Sequence, residues 1–224
     1  MLTVVESLSE RRLTDQGRER KQQILDAATA LFSSRGYQAT RVADICTEAG
    51  VAKGLFYWYF ESKERLFAEL IRSMRLQLRR SQAAAMDPAS DPVTRLRAGV
   101  EASVRFMVDH AAYFSFIESE RTDESIQPVL SEGGEIYAAD TYRVILEAQR
   151  DGLIPDLADP QMLTLGVIGA VSHFCQFHRD GRTSMSVDEL ADFVAGWVAR
   201  AVGAEDQVRR RSHDDRSEPR KTHV

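Results

Sequence analysis

The side chains of this sequence with the most evident chemistry lie close together between Lys53 and Lys63, where Tyr57, Trp58 and Tyr59 stand between the two lysines. Phenol hydroxyls and ammonium groups donate hydrogen bonds to phosphate oxygens, and an aromatic cluster on a short helix is unfavourable in water unless it meets another surface. The cluster therefore predicts contact with DNA. The alternative is that these aromatic residues form a core, but so short a helix has little room to bury every side.

Two short helices are predicted to hold these residues in place. Thr40 is expected to cap the first helix, and Gly50 is expected to end it in a left-handed conformation. Val51 then provides an apolar anchor in the angle between the helices. The apolar side of the first helix recurs at spacings of three and four: Val42, Ile45, Cys46 and Ala49. This pattern is typical of a helix-turn-helix.

The second short helix, predicted from Lys53 to Phe60, is expected to place Phe56 and Phe60 inward, four residues apart. An α-helix fits the major groove of DNA, and its N-terminal end carries partial positive charge. Lys53 and Gly54 stand where the backbone can approach phosphates or base edges. Ser62 is expected to cap a third helix, whose first turn holds Lys63 close to the sugar-phosphate strand.

The stretch Ala39–Leu66 reads A-T-R-V-x-D-I-x-x-x-A-G-V-x-K-G-x-x-Y-x-Y-F-x-S-K-x-x-L, which resembles the DNA-binding signature of the TetR family of bacterial regulators. The resemblance extends from about Arg20 to Leu70. It implies phosphate contacts from Thr40, Tyr57, Tyr59 and Lys63, and base contacts from Lys53, Gly54, Leu55 and Trp58; with Arg41 these residues form the predicted DNA-binding set.

Three positions depart from the family pattern: Ala52 replaces the usual serine cap of the recognition helix, Leu55 stands where a hydroxyl residue is common, and Cys46 replaces an alanine. A leucine side chain can touch a thymine methyl group but cannot hydrogen-bond to a base edge. We therefore expect apolar recognition of DNA at Leu55.

The formal net charge of −5 is unevenly distributed along the chain. Residues 11–80 hold 14 Lys and Arg against 8 Asp and Glu, which gives +6, whereas residues 81–224 hold 15 against 24, which gives −9; residues 1–10 contribute −2. The basic segment contains the predicted DNA-binding residues. Such segregation favours sequence-independent, salt-sensitive affinity for DNA at that end.

The helical periodicity continues along the rest of the chain and predicts an all-α protein. Helices are expected at 62–85, 92–109, 112–120, 128–150, 160–179 and 187–202, with starts at Asp91-Pro92, Asp159-Pro160 and Ser186. The predicted organisation is a disordered arm (1–17), a three-helix DNA-binding domain (18–65), a helical-bundle effector and dimerisation domain (66–203) and a disordered tail (204–224).

The last two predicted helices are apolar over more than one stripe, so each is expected to contact two neighbours. A pair of such helices meeting its own copy gives a four-helix interface across a two-fold axis, as the resemblance also implies. Packing within one chain is the alternative. The predicted dimer residues are Leu163, Gly166, Gly169, Ala170, Phe174, Phe193 and Trp197.

The middle helices combine apolar side chains with scattered hydrogen-bonding groups, a composition typical of small-molecule pockets but also of ordinary cores. The candidate ligand-binding residues are Phe106, His110, Phe114, Ile117, Tyr137, Thr141, Ser172 and Gln176. The resemblance implies an effector domain. The ending F-H-R-D-G-R-x-S-x-S-x-x-E-L is similar to branches of the family that sense lipid-derived metabolites such as acyl-coenzyme A thioesters.

We therefore expect a homodimeric repressor that binds a pseudo-palindromic operator in double-stranded DNA and is released by a hydrophobic or amphipathic effector. Alternatives are an activator or a ligand-insensitive DNA-binding dimer. A helical enzyme is a remote alternative, because the sequence lacks a Gly-rich phosphate loop, G-x-S-x-G, H-E-x-x-H and a Glu-x-x-His pair.

No cofactor or metal is expected, since His173 and His178 point to different helix faces. Cys46 and Cys175 lie far apart and predict no disulfide. With no membrane span in the sequence, we expect a soluble, cytoplasmic protein.

Overall fold

A computed structural model describes residues 15–120, 126–131, 134–156 and 158–204, and for residues 131 and 134–137 it describes the backbone alone. Most of the expected arm and tail, residues 1–14 and 205–224, lies outside these ranges. Every regular element within them is an α-helix, which confirms the predicted fold class. In chain order the helices are α1 Asp15–Arg35, α2 Val42–Glu48, α3 Lys53–Tyr59, α4 Lys63–Ala85, α5 Pro92–Asp109, α6 Ala111–Ser119, α7 Gln127–Ser131, α8 Gly134–Arg150, α9 Pro160–Arg179 and α10 Val187–Ala201.

The chain forms two compact units, and the division falls inside α4, after Leu70. The core of the first unit is aromatic. Phe32, Tyr37 and Phe67 are buried, and their ring centroids lie between 5.1 and 6.1 Å apart. The buried side of α1 follows the helical period and comprises Ile24, Leu25, Ala27, Ala28, Leu31 and Phe32. This core ties α1 to α4.

The turn between α2 and α3 has the predicted geometry. Gly50 has a φ of 63°, in the left-handed region that glycine adopts without a steric cost. The Val51 N–H donates to the carbonyl of Cys46 at 2.9 Å, which closes the C-terminal end of α2. The prediction that Thr40 caps α2 is wrong. Arg41 is the N-cap residue, and its backbone N–H donates to the carboxylate of Asp44 at 3.0 Å.

Helix α1 begins at Asp15, so residues 15–17 of the expected arm are helical. The sequence pattern missed this turn because it carries no apolar residue to mark a period. Two contacts support it: an ion pair joins Asp15 and Arg18, and the hydroxyl of Tyr59 donates to the carbonyl of Gly17 at 2.9 Å.

The second unit packs α5 along α10 and α8 against α9. Its main core takes buried residues from these four helices, including Val100, Val104, Ile145, Val171, Val194 and Val198. The predicted caps are confirmed: Asp91 accepts from two backbone N–H groups at the start of α5, and Ser186 forms a reciprocal capping box with Glu189 at the start of α10. None of the helices in the described ranges has the length and apolar character to cross a membrane.

One predicted helix is divided. The expected helix at 128–150 is replaced by α7 and α8, which lie on either side of residues 132–133, outside the described ranges. The sequence has a glycine pair at 133–134. Adjacent glycines lower helix stability because their backbones lose more conformational entropy on folding than any other residue.

Candidate nucleic-acid interface and effector cavity

Helix α3 divides its aromatic residues between two sides. Phe56 and Phe60 are buried with ring centroids 5.8 Å apart, whereas the side chains of Tyr57 and Trp58 are 55% and 49% exposed. This confirms the predicted inward pair and shows two large aromatic side chains facing solvent. The buried phenylalanines fix the rotation of the helix about its own axis, and so they determine which residues it presents.

Three further members of the predicted DNA-binding set lie on the exposed surface near α3. Arg41, Lys53 and Gly54 are exposed. A Cβ added at Gly54 would have no heavy atom within 4 Å among the described residues, so the chain can be approached closely there. Leu55 is half-buried, so part of its side chain remains available for an apolar contact.

The other three predicted phosphate contacts are hydrogen-bonded to the protein's own backbone. Thr40 is buried, and its hydroxyl donates to the carbonyl of Gly36 at 2.8 Å. The Nζ atom of Lys63 donates to the carbonyls of Tyr37 and Thr40 at 2.8 and 3.0 Å and lies 4.1 Å from the ring centroid of Tyr37. Together with the hydrogen bond from the Tyr59 hydroxyl to the carbonyl of Gly17, these contacts hold both ends of α1 and the loop before α2 in place. Their DNA contacts stay predictions.

A cavity of about 670 Å³ lies in the second unit. Ten of its eighteen lining residues are apolar side chains or glycine, and eight carry a polar or charged group. It is lined by Ile71, Met74, Arg75, Leu78, Met107, Tyr113, Phe114, Ile117, Glu118, Gln127, Leu130, Leu165, Ile168, Gly169, Ser172, His173, Gln176 and Arg179. Its size and composition are typical of small-molecule sites.

The structure brings half of the candidate ligand-binding residues to this cavity: Phe114, Ile117, Ser172 and Gln176 line it. Two others do not. The rings of Phe106 and His110 stack on each other with centroids 4.1 Å apart, and neither lines the cavity. Phe106 also packs edge-on against Phe114 of α6, which does line the cavity, with ring centroids 6.3 Å apart.

The remaining two candidates are Thr141 and Tyr137. Thr141 lines a separate small cavity of about 20 Å³, beside the buried pair Gln82 and Ser103. The side chain of Tyr137 lies outside the described part of the chain.

The charged residues of the cavity were missed in the sequence. Nη2 of Arg179 donates to Oε2 of Glu118 at 2.9 Å, and Nη2 of Arg75 donates to the carbonyl of Leu130 at 2.5 Å. Burial raises the pKa of the Tyr113 phenol, against the opposing effect of Arg75, so this hydroxyl remains a donor at neutral pH. Arginine within the apolar stripe of α4 was the available signal, since Arg75 lies between Ile71 and Leu78.

An apolar surface covers the outer side of α9 and α10. Phe193 and Trp197 are each 39% exposed, and Phe174 packs edge-on against both, with centroids 5.6 and 5.5 Å away. Gly166 and Gly169 are exposed, and an added Cβ would meet no heavy atom of the described residues within 4 Å. Leu163, Ala170 and Phe174 are half-buried. All seven predicted dimer residues therefore reach solvent at least in part.

Both cysteines are buried and free. Burial raises the pKa of the Cys175 thiol to about 11, with Arg179 acting in the opposite direction, and burial also raises the pKa of Cys46. Both thiols are therefore protonated at neutral pH. Within the described ranges, no three His, Cys, Asp or Glu residues are grouped to hold a metal ion.

Comparison with known proteins accounts for both units. Residues 24–70 match the family model of bacterial regulatory proteins of the tetR family, and residues 89–202 match the model of the tetracyclin repressor-like C-terminal domain. The HTH-type transcriptional repressor KstR2 of Mycobacterium tuberculosis is 32% identical over 120 residues, 54% of this chain and 60% of KstR2. The HTH-type transcriptional regulator BetI of Agrobacterium fabrum is 36% identical over 113 residues, 47% of this chain and 54% of BetI.

The chain thus spans less than two thirds of the length of either relative. The solved structure of the fatty acid degradation regulator FadR from Bacillus halodurans superposes with a TM-score of 0.72 at 18% identity, over 80% of this chain and 94% of FadR. That likeness shows the shared fold. Neither matching family model and neither relative describes an enzyme. Because the C-terminal model alone covers more than half of the sequence and the N-terminal model covers the helix-turn-helix, the chain belongs to the tetR family of bacterial regulatory proteins.

Proposed function

We propose that this protein is a transcriptional repressor that binds a pseudo-palindromic operator as a homodimer and leaves it when an amphipathic effector enters the cavity of the second unit. The observation that carries the proposal is that the α3 segment buries one pair of aromatic side chains and exposes another. Buried Phe56 and Phe60 hold the helix so that Tyr57 and Trp58 face solvent beside exposed Lys53. An exposed aromatic pair with an adjacent ammonium group is well matched to the sugars, phosphates and bases of a groove.

The repressor assignment is supported by the relatives. KstR2 is named a transcriptional repressor, and it matches over a region that is 54% of this chain. FadR, whose fold is shared, is named a regulator of fatty acid degradation, which is consistent with an apolar effector. The cavity of about 670 Å³, more than half of whose lining residues are apolar or glycine, supports the same class of ligand.

The homodimer is supported by the outer surface of α9 and α10. Aromatic anchors beside open glycines form the kind of patch in which two copies can approach closely, and the same patch on both copies satisfies a two-fold interface. The two copies of α3 in such a dimer, about 34–36 Å apart, then contact successive major grooves on one face of DNA. An effector that favours one tilt of α4 changes this separation. Full release requires a preference of about 10⁴, roughly 5.5 kcal/mol, for the state that does not bind DNA.

The test measures binding of the full chain to DNA from its own upstream promoter. Fluorescence anisotropy gives the affinity at several salt concentrations. We expect sequence preference and a steep fall in affinity as salt rises, because phosphate contacts release counterions. Replacing Tyr57 or Trp58 by Ala is expected to weaken operator binding about ten- to a hundredfold.

Tyr142→Ala is the matched control, since Tyr142 is an exposed tyrosine of α8 in the other unit, and operator affinity is expected to be unchanged. Equal affinity of wild type and both α3 variants for the operator would contradict the proposed interface. Binding without salt dependence or sequence preference would contradict the proposed function.

A further inference from the structure

The large and the small cavity of the second unit follow each other along α4. Ile71, Met74 and Leu78 of this helix line the large cavity of about 670 Å³. Gln82, one turn further on, and Met86, the residue after the helix ends, line the small cavity of about 20 Å³. Positions at spacings of three and four lie on one face of a helix. The same face of α4 therefore passes from one cavity to the other.

Helix α5 passes between the same two cavities. Met107 lines the large cavity, and Ser103, one turn earlier on α5, lines the small one. Nε2 of Gln82 donates to Oγ of Ser103 at 2.8 Å, so α4 and α5 are joined where the small cavity begins. The boundary between the cavities thus lies between Leu78 and Gln82 on α4 and between Met107 and Ser103 on α5.

Ile168 of α9 lies at this boundary. Within the described part of the chain, Ile168 alone lines both cavities, and its side chain is half-buried. Its neighbours on α9 divide between them: Leu165 and Gly169 line the large cavity, whereas Val167 and Val171 line the small one. A side chain that borders two cavities separates them, so a smaller side chain at this position would join the two spaces.

The small cavity is suited to the end of a hydrocarbon chain. Its volume leaves room for about one water-sized group, and most of its lining residues are apolar: Met86, Leu96, Val100, Val144, Val167 and Val171. Its buried polar pair is already bonded, since Gln82 donates to Ser103 and Ser103 donates to the carbonyl of Gly99 at 2.6 Å. A methyl group placed there leaves these hydrogen bonds intact.

The far end of the small cavity is adaptable. The terminal methyl group of Met86 lies over Gly99, where an added Cβ would overlap it. Methionine side chains are unbranched and change conformation easily, so they fit irregular spaces. A chain that passed the position of Ile168 would therefore meet a side chain that can move aside.

We propose that Ile168 sets the length of the unbranched hydrocarbon chain that the effector cavity accepts. The chain ends against Ile168, which closes the small cavity to it. Each methylene buried before that point raises affinity about fourfold, and methylenes beyond it add little because they stay in water. The inference rests on the proposed function, in that the large cavity is taken as the effector site, and it names the residue that selects among effectors of one class.

The test is isothermal titration calorimetry of the full chain, without DNA, against the saturated fatty acids from octanoate to octadecanoate. All members carry the same carboxylate, so differences in affinity report the chain alone. In the wild type we expect affinity to rise with length and then to level off. In Ile168→Ala the rise is expected to continue for about two further carbons, because the side chain is shortened and the small cavity is opened.

Ile117→Ala is the matched control. Ile117 is also half-buried and lines the large cavity but not the small one. This variant loses the same atoms from the wall, so its affinity is expected to fall by a similar factor for every acid while the length at which affinity levels off stays that of the wild type. An equal shift in both alanine variants would show that cavity volume alone sets the length, and would overturn the assignment to Ile168.

Ile168→Val provides a milder variant in case Ile168→Ala does not fold, which circular dichroism would reveal. It removes one methyl group and is expected to shift the levelling-off length by about one carbon in the same direction. A levelling-off length unchanged in both Ile168 variants, or no binding of any of these acids to the wild type, would overturn the inference.

The two proposals fail separately. A wild type that is released from its operator by these acids, together with Ile168 variants that keep its length preference, would overturn this inference and leave the proposed function standing. A chain whose length preference shifts as expected but that ignores its operator would overturn the proposed function and leave this inference standing.

Discussion

The two compact units differ in how their polar side chains are hydrogen-bonded. In the first unit, Thr40, Tyr59 and Lys63 all donate to backbone carbonyls of the same unit, so polar groups hold the short helices in place. In the second unit, Arg179 lines a cavity with one of its nitrogen atoms unpaired among the described residues. A group that is satisfied by its own chain contributes to a rigid fold, whereas a buried donor without an acceptor destabilises it. This contrast suits the proposed roles of the two units, a rigid DNA-binding surface and an adaptable effector cavity.

The largest expected effect tests the rigid side of this comparison. Lys63→Met leaves the carbonyls of Tyr37 and Thr40 without their charged donor and removes the contact with the Tyr37 ring. Hydrogen bonds from charged groups contribute about 1.5–3 kcal/mol each, so the free energy of unfolding is expected to fall by about 3 kcal/mol. Urea denaturation followed by circular dichroism measures it.

Lys53→Met is the control for this experiment, since Lys53 is exposed on α3 and its loss should leave stability unchanged. A Lys63 variant as stable as wild type that nevertheless loses operator affinity would show that Lys63 acts mainly as a phosphate contact. The structural role described above would then be wrong.

Features that depend on nearby residues could be predicted from the sequence, whereas contacts between distant residues could not. Gly50, the inward pair Phe56 and Phe60, and the caps at Asp91 and Ser186 all depend on neighbours within a few residues, and all are found as expected. The Glu118–Arg179 pair joins residues 61 positions apart. Charged residues in a helical period are usually interpreted as facing solvent, so only the packing of distant helices could reveal that these two face a cavity.

Thr40 shows the limit even of local patterns. A threonine before a helix is a common cap, but a carbonyl of the preceding turn competes for the same hydroxyl. Here the carbonyl of Gly36, at 2.8 Å, takes it, because Gly36 ends α1 with a φ of 81° and turns the chain back on itself. The adjacent Arg41 therefore becomes the cap.

An intermediate effect is expected on assembly. Trp197→Ala removes an aromatic anchor from the outer surface of α9 and α10, where it packs against Phe174. Central aromatic residues of interfaces contribute about 2 kcal/mol or more, so the dimer dissociation constant is expected to rise about thirtyfold. Sedimentation velocity over a range of concentrations measures this change. Trp58→Ala is matched to it as a similarly exposed tryptophan of the other unit, and it is expected to leave the dimer intact. A monomeric wild type would contradict the proposed interface.

The smallest expected effect concerns the cap of α5. The carboxylate of Asp91 accepts from the Thr94 hydroxyl at 2.6 Å and from the N–H groups of Thr94 and Val93 at 3.0 and 2.9 Å, and these bonds hold its pKa below the ordinary value. Because the folded-state pKa is lowered, the charged cap stabilises the protein above the unfolded-state pKa, about 3.9, and this contribution is lost as the pH falls through the folded-state value. At neutral pH, Asp91→Ala is expected to cost about 1 kcal/mol, and Asp91→Asn, which still caps, clearly less. Urea denaturation of both variants and the wild type at pH 7 and in acid measures the difference. A gap between wild type and Asp91→Asn that widened in acid would have the wrong sign for a carboxylate stabilised by these donors.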